Sequence, residues 1–142
     1  MNAEELVKKA YEAQKYSYSP YSGFQVGAAL LAKSGKVYTG CNIENAAFSP
    51  TNCAERTAFF KAISEGETEF DSIAIVGNKK GAQKEEWEYC TPCGVCRQVM
   101  LEFVDPDRFT VICGKGKDMR LYRLRELLPE SFSPGMVRED TQ

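Results

Sequence analysis

Cys53-Ala54-Glu55 and Pro92-Cys93-Gly94-Val95-Cys96 place three thiols and one carboxylate in a chain that contains no histidine. Thiolates can hold a zinc ion and a carboxylate beside it can move protons, so this set is equipment for activating water. Cys93 and Cys96 stand three apart, which puts both sulfurs on one face of a helix where they can grip one ion. Cys53 would supply a third sulfur if the fold brings two helix starts together. Three protein ligands leave the fourth tetrahedral position for water, the arrangement of a catalytic zinc, with one ion per chain. Helix N-termini favour the thiolate form, yet three thiolates around Zn²⁺ leave an excess of about one negative charge. A positive neighbour should offset it, and Arg56 and Arg97 are the candidates.

The same residues admit other readings. Asn52-Cys53-Ala54-Glu55 fits a capping box, with Asn52 as N-cap and Glu55 at the third helical position. Cys90-Thr91-Pro92-Cys93 gives another CxxC spacing, so Cys53, Cys90, Cys93 and Cys96 could close a structural four-cysteine site. Cys41 and Cys113, at the ends of predicted strands, read as buried thiols. An even count of six cysteines also invites a disulfide framework, which a reducing compartment disfavours.

The elements that must position these groups are readable from periodicity. Residues 3 to about 16 place Ala3, Leu6, Val7, Ala10 and Ala13 on one stripe of an amphipathic helix. Pro20-Tyr21-Ser22-Gly23 breaks it, and Gln25 to Ala32 runs nearly all apolar, as a strand covered on both faces would. Ser34-Gly35 signals a hairpin into a second strand from Lys36 to about Cys41. A helix is expected from Cys53 to Ser64, a buried strand from Asp71 to Gly77, and a surface loop from Asn78 to Glu88. A further helix should start at Thr91 as N-cap with Pro92 first, and stop before Asp105-Pro106. Phe109 to Cys113 and about Met119 to Tyr122 complete the strands, followed by a short helix reaching Leu128. This order predicts an α/β domain, one mixed sheet of about five strands with helices on both faces, spanning residues 1–142 without a linker.

Composition narrows the partners. At 142 residues the chain is one ordinary domain, and 43% hydrophobic with 27% charged residues is a soluble balance. The net charge of −2, with Lys and Arg scattered, offers no footprint for a polynucleotide. The acidic start Met1-Asn2-Ala3-Glu4-Glu5 is unlike a secretory signal and no apolar run would span a bilayer, so the expected setting is cytoplasmic, without membrane.

The chain resembles the small, zinc-dependent cytidine deaminases of the homotetrameric kind. The resemblance runs through Ser19-Pro20-Tyr21-Ser22, Phe24-Gln25-Val26-Gly27-Ala28-Ala29, Gly40-Cys41-Asn42-Ile43-Glu44-Asn45-Ala46, both cysteine motifs with Arg56 and Arg97-Gln98, and Glu126-Leu127-Leu128-Pro129. It implies the three-layer cytidine-deaminase-like fold, zinc on Cys53, Cys93 and Cys96, and Glu55 as the proton shuttle. It also implies that Asn42 and Glu44 hydrogen-bond the sugar hydroxyls and that Phe24 packs against the pyrimidine. Ala54 would lie against the substrate, and Arg56 and Gln98 would partly neutralise the ligand thiolates. Phe132 of a neighbouring subunit would close each pocket of a homotetramer, although Pro134-Gly135-Met136-Val137 departs from the usual ending. Phe48 stands where relatives often carry tyrosine.

The expected activity is therefore hydrolytic deamination of cytidine and 2′-deoxycytidine in pyrimidine salvage. Glu55 would carry a proton to N3 and a second to the leaving amine. Two rivals remain at this level: deamination of a cytosine nucleoside analogue or antibiotic, and a non-catalytic binding domain stabilised by zinc.

Overall fold

The computed structural model describes residues 1–138, so the expected domain of residues 1–142 ends with four residues that lie outside the described ones. Helix α1 (Ala3–Gln14) is capped by Asn2, whose side chain accepts from the Glu5 N–H at 2.9 Å. Of its expected stripe, Leu6, Val7, Ala10 and Ala13 are buried and Ala3 is half-buried. Strands β1 (Phe24–Ala32) and β2 (Val37–Cys41) form the predicted antiparallel hairpin around Gly35, which sits at φ +95°. Helix α2 (Ala54–Ser64), strand β3 (Phe70–Lys79), helix α3 (Gly94–Phe103), strands β4 (Thr110–Lys115) and β5 (Asp118–Arg123) and the short helix α4 (Leu124–Leu127) follow.

The five strands lie in the order β2-β1-β3-β4-β5. Only β3 and β4 pair in parallel, joined through α3; the other neighbours are antiparallel. The mixed five-stranded sheet is thus as expected. On one face, Leu6, Val7 and Ala10 of α1 pack against Ala29, Ala74, Val76 and Ile112. On the other, α2 and α3 cover Leu30, Ile73, Ile75 and Val111. Phe59 of α2 is fully buried there, with the rings of Phe70, Phe103 and Phe109 at centroid distances of 5.1, 6.1 and 6.0 Å. Burying such a ring supplies about 2 to 3 kcal/mol of hydrophobic stabilisation.

Two glycines set how closely the helices approach. A Cβ on Gly27 would fall 2.0 Å from the Ala10 carbonyl oxygen, so α1 can lie directly on β1 only without a side chain there. A Cβ on Gly40 would come within 2.5 Å of the Ala54 oxygen. That contact seats the first turn of α2 on β2 and fixes where Cys53 emerges.

Two expectations need correction. The loop predicted from Asn78 to Glu88 begins inside β3, because Gln25 and Phe24 extend the β1 pairing to Asn78 and Lys79, and it contains a 3₁₀ turn at Lys84–Glu86. Helix α3 begins two residues later than Pro92 suggested, with Cys93 rather than Thr91 as its N-cap. Pro92 is buried ahead of the helix instead of opening it.

Candidate metal centre

Cys53 is the N-cap of α2 and Cys93 the N-cap of α3, so each thiol projects from the electropositive end of a helix. Cys96 follows in the first turn of α3 and is fully buried, whereas Cys93 is exposed. The Cys53 and Cys93 sulfurs are 3.7 Å apart and those of Cys93 and Cys96 3.2 Å, and all three lie within 4.8 Å of one another. Tetrahedral zinc with Zn–S bonds of about 2.3 Å requires sulfurs about 3.8 Å apart, so this donor set fits the ion.

The charge on such a set is met from one side. Arg56 Nη2 donates to the Cys53 sulfur at 3.3 Å, and its buried Nε has no partner among the described residues. Hydrogen bonding from Cys96, then from Arg56, pulls the Cys53 thiol down to about 5 against the opposing effect of burial. The bond to Cys53 and burial push Cys96 the other way. Arg97 does not take part: its Nε and Nη1 donate to the carbonyls of Pro92 and Leu127, both at 2.7 Å. Gln98 likewise spends its amide on the Phe132 carbonyl at 2.8 Å, so the structure brings Arg56 to a sulfur and not Gln98.

Glu55 is the second residue of α2 and only 4% exposed. The capping box is not realised. Cys53 takes the N-cap position that Asn52 was expected to hold, and the Asn52 amide donates to Thr57 Oγ1 at 3.2 Å. The Asn52 backbone pairs instead with Ile43, which keeps it extended. A buried carboxylate released from capping is available for chemistry. Burial pushes the Glu55 carboxyl up to about 7, its own backbone N–H pulling the other way and the Cys53 charge adding to the rise.

Cys90 stands apart from the three-sulfur group. A Cβ on Gly77 would meet the Cys90 sulfur at 2.8 Å and the Phe24 ring at 3.0 Å, so thiol and ring flank the same bare stretch of β3. Burial pushes the Cys90 thiol up to about 12. Cys113 is a buried thiol, as expected, while Cys41 is half-buried; both are raised by burial. All six cysteines are free. Substituting Cys90→Ser is expected to leave one zinc per chain and cytidine turnover within a few-fold of the parent. Metal analysis and an ammonia assay check this, and loss of zinc would restore the four-cysteine reading.

Phe24, 36% exposed, lines a cavity of about 550 Å³ with Gly77, Tyr89 and Cys90 among its walls. Asn42 is buried and heavily engaged: its Oδ1 accepts from Ser17 Oγ and from the Val26 N–H at 2.9 Å, and its Nδ2 donates to the Phe24 carbonyl at 2.8 Å. One amide hydrogen is left for a ligand. Glu44 Oε1 accepts from the Tyr21 and Ser22 N–H groups at 2.9 and 3.1 Å, and Oε2 accepts from Ser22 Oγ. The Ser22 hydroxyl, followed by its backbone N–H, holds the Glu44 carboxyl below its ordinary range although burial opposes this. Ala54 is fully buried, while Phe132 and Phe48 are exposed by 64% and 95%. Ser17 and Ser22 were not assigned roles from sequence. The signal for Ser22 was a hydroxyl two residues before a strand, the pattern of a serine turn.

A family model for the cytidine and deoxycytidylate deaminase zinc-binding region matches residues 1–113. The chain is 45% identical over 133 residues to a cytidine deaminase of Halalkalibacterium halodurans, covering 94% of this chain and 96% of that relative. It is 44% identical over 133 residues to a cytidine deaminase of Sporosarcina psychrophila, covering 94% and 93% respectively. Its fold is similar to the crystal structure of cytidine deaminase from Burkholderia pseudomallei, with a TM-score of 0.82, 42% identity and coverage of 93% and 100%.

Proposed function

The chain belongs to the cytidine and deoxycytidylate deaminase family, and on that premise we propose that it hydrolyses cytidine and 2′-deoxycytidine to uridine and 2′-deoxyuridine with release of ammonia. The observation that carries this reading is the three-sulfur group at two helix starts with the buried carboxylate of Glu55 in the first turn of one of them. Cys53, Cys93 and Cys96 hold zinc. When bound, the ion supplies Lewis acidity that makes water nucleophilic near neutral pH. Glu55 takes one proton from water as its oxygen adds to C4 and delivers it to N3, then takes the second from the new C4 hydroxyl and passes it to the departing amine. With no histidine in the chain, a carboxylate is the base at hand. Arg56 disperses the negative charge of the ligand set through Cys53.

Phe24 packs on the pyrimidine, Ala54 lies against it, and Asn42 and Glu44 hold the sugar hydroxyls. A half-exposed ring beside a cavity, together with an amide and a carboxylate fixed by neighbouring loops, suits a nucleoside. Gln98 holds the Phe132 segment through its carbonyl. Phe48 and Phe132 are large apolar residues left open to solvent, and this supports a homotetramer in which neighbours complete each pocket. Six free thiols suit a reducing compartment, and we place this single-domain enzyme in the cytoplasm, in pyrimidine salvage. Among the described residues no helix is long and apolar enough to cross a membrane.

Zinc-loaded protein incubated with cytidine is expected to release one ammonia per uridine formed. A chelator should stop the reaction and added zinc restore it. Absence of ammonia from zinc-loaded protein would sink the proposal and favour the binding-domain alternative.

A further inference from the structure

We propose that Ser22 is a positioning residue that ties the sugar contact at Glu44 to the base contact at Phe24; this rests on the substrate reading given above. The two contacts sit on different segments, Phe24 at the start of β1 and Glu44 beyond the end of β2. The Ser22 hydroxyl touches both. It donates to Glu44 Oε2, and its oxygen accepts from the Phe24 N–H at 3.0 Å.

The surrounding backbone keeps that hydroxyl in place. Gly23, at φ +70°, allows the chain to turn between Ser22 and Phe24. Its N–H donates to the Ser19 carbonyl at 2.9 Å and its carbonyl accepts from the Lys80 N–H at 2.8 Å. On the far side, the Phe24 carbonyl accepts from Asn42. Both peptide groups of Phe24 are therefore bonded to residues that hold, or are held by, the sugar contacts.

Counting lone pairs shows what the serine contributes. A carboxylate offers about four acceptor sites. Two N–H groups occupy Glu44 Oε1 and the Ser22 hydroxyl occupies one site of Oε2, which leaves one site of Oε2 not taken by these bonds. Ser22 thus prevents rotation of the carboxylate and selects the lone pair presented to a sugar hydroxyl. Such prior ordering lowers the entropic cost of binding.

The test is a double-mutant cycle on steady-state deamination of cytidine by zinc-loaded enzyme. Ser22→Ala is expected to raise KM about tenfold, the scale of a lost hydrogen bond to a charged group, with kcat changed less than about twofold. Ser22→Thr, which keeps the hydroxyl, should restore KM. In a Glu44→Ala background, Ser22→Ala should add less than about twofold, because the two residues act as one unit. Effects that multiply across the cycle would overturn the coupling, as would an unchanged KM in Ser22→Ala or a fall in kcat alone. Glu44→Ala with an unchanged KM would instead overturn the ribose reading, and the coupling with it. Ser22 is exposed, so zinc content and melting temperature are expected to stay at parental values in both serine variants.

Discussion

Glu55→Gln is expected to lower kcat for cytidine by about 10³-fold while one zinc per chain is retained, within the range that a positioned acid–base group supplies. Glutamine matches glutamate in shape, and the site is 4% exposed, so packing around the first turn of α2 should be preserved. On the proposed mechanism, what is lost is the ability to carry two protons in turn, one from water to N3 and one from the new C4 hydroxyl to the departing amine. Cys53 rather than Asn52 is the N-cap and Asn52 bonds to Thr57, and the contact of the side chain with its own backbone N–H is one that a glutamine oxygen can also make. Steady-state ammonia release together with metal analysis of the same sample distinguishes the outcomes. Full activity would remove Glu55 from the proton path, and loss of zinc would make it a support for the metal.

Cys96→Ala should abolish both metal and turnover. Its sulfur is fully buried and 3.2 Å from that of Cys93, so nothing from solvent can replace it in the same geometry. The remaining pair, Cys53 and Cys93, spans two helices and would have to hold the ion without the helical CxxC grip. Zinc affinity is expected to fall by more than the roughly 100-fold that accompanies loss of an outer hydrogen-bonding partner. Zinc per chain after dialysis, measured by atomic absorption, reads the effect directly. Retained zinc and activity would mean that another thiol had taken the position, and Cys90 would be the one to test next.

Much of the scaffold was legible because its signals are local. The apolar stripe of α1, the Ser34-Gly35 turn and the largely apolar runs within β1 and β3 each depend on residues close in the chain. One boundary failed where a distant partner decided it, β1 carrying β3 out to Lys79, and another failed locally, where Cys93 accepts from the Cys96 N–H and displaces Thr91 as the cap of α3. The closeness of the Cys93 and Cys96 sulfurs was readable because a CxxC spacing is meaningful within one helix turn. The fates of Arg97 and Gln98 were not, since they turn toward the end of α4 and the chain beyond it, at Leu127 and Phe132. Ser22 was missed for the same reason, its partner Glu44 lying across a loop.

The sulfurs of Cys53 and Cys93 meet across 40 positions of chain, and the strand that separates them, β3, is the middle one of the sheet. An ion shared by the two helix starts therefore acts as a clasp on a closed loop as well as a reagent. Unfolding must release it, so the folded fraction becomes a function of metal supply. Once the site is saturated, each tenfold rise in free zinc adds about 1.4 kcal/mol to the free energy of unfolding. Persistence of the enzyme is thereby tied to the ion that its catalysis requires.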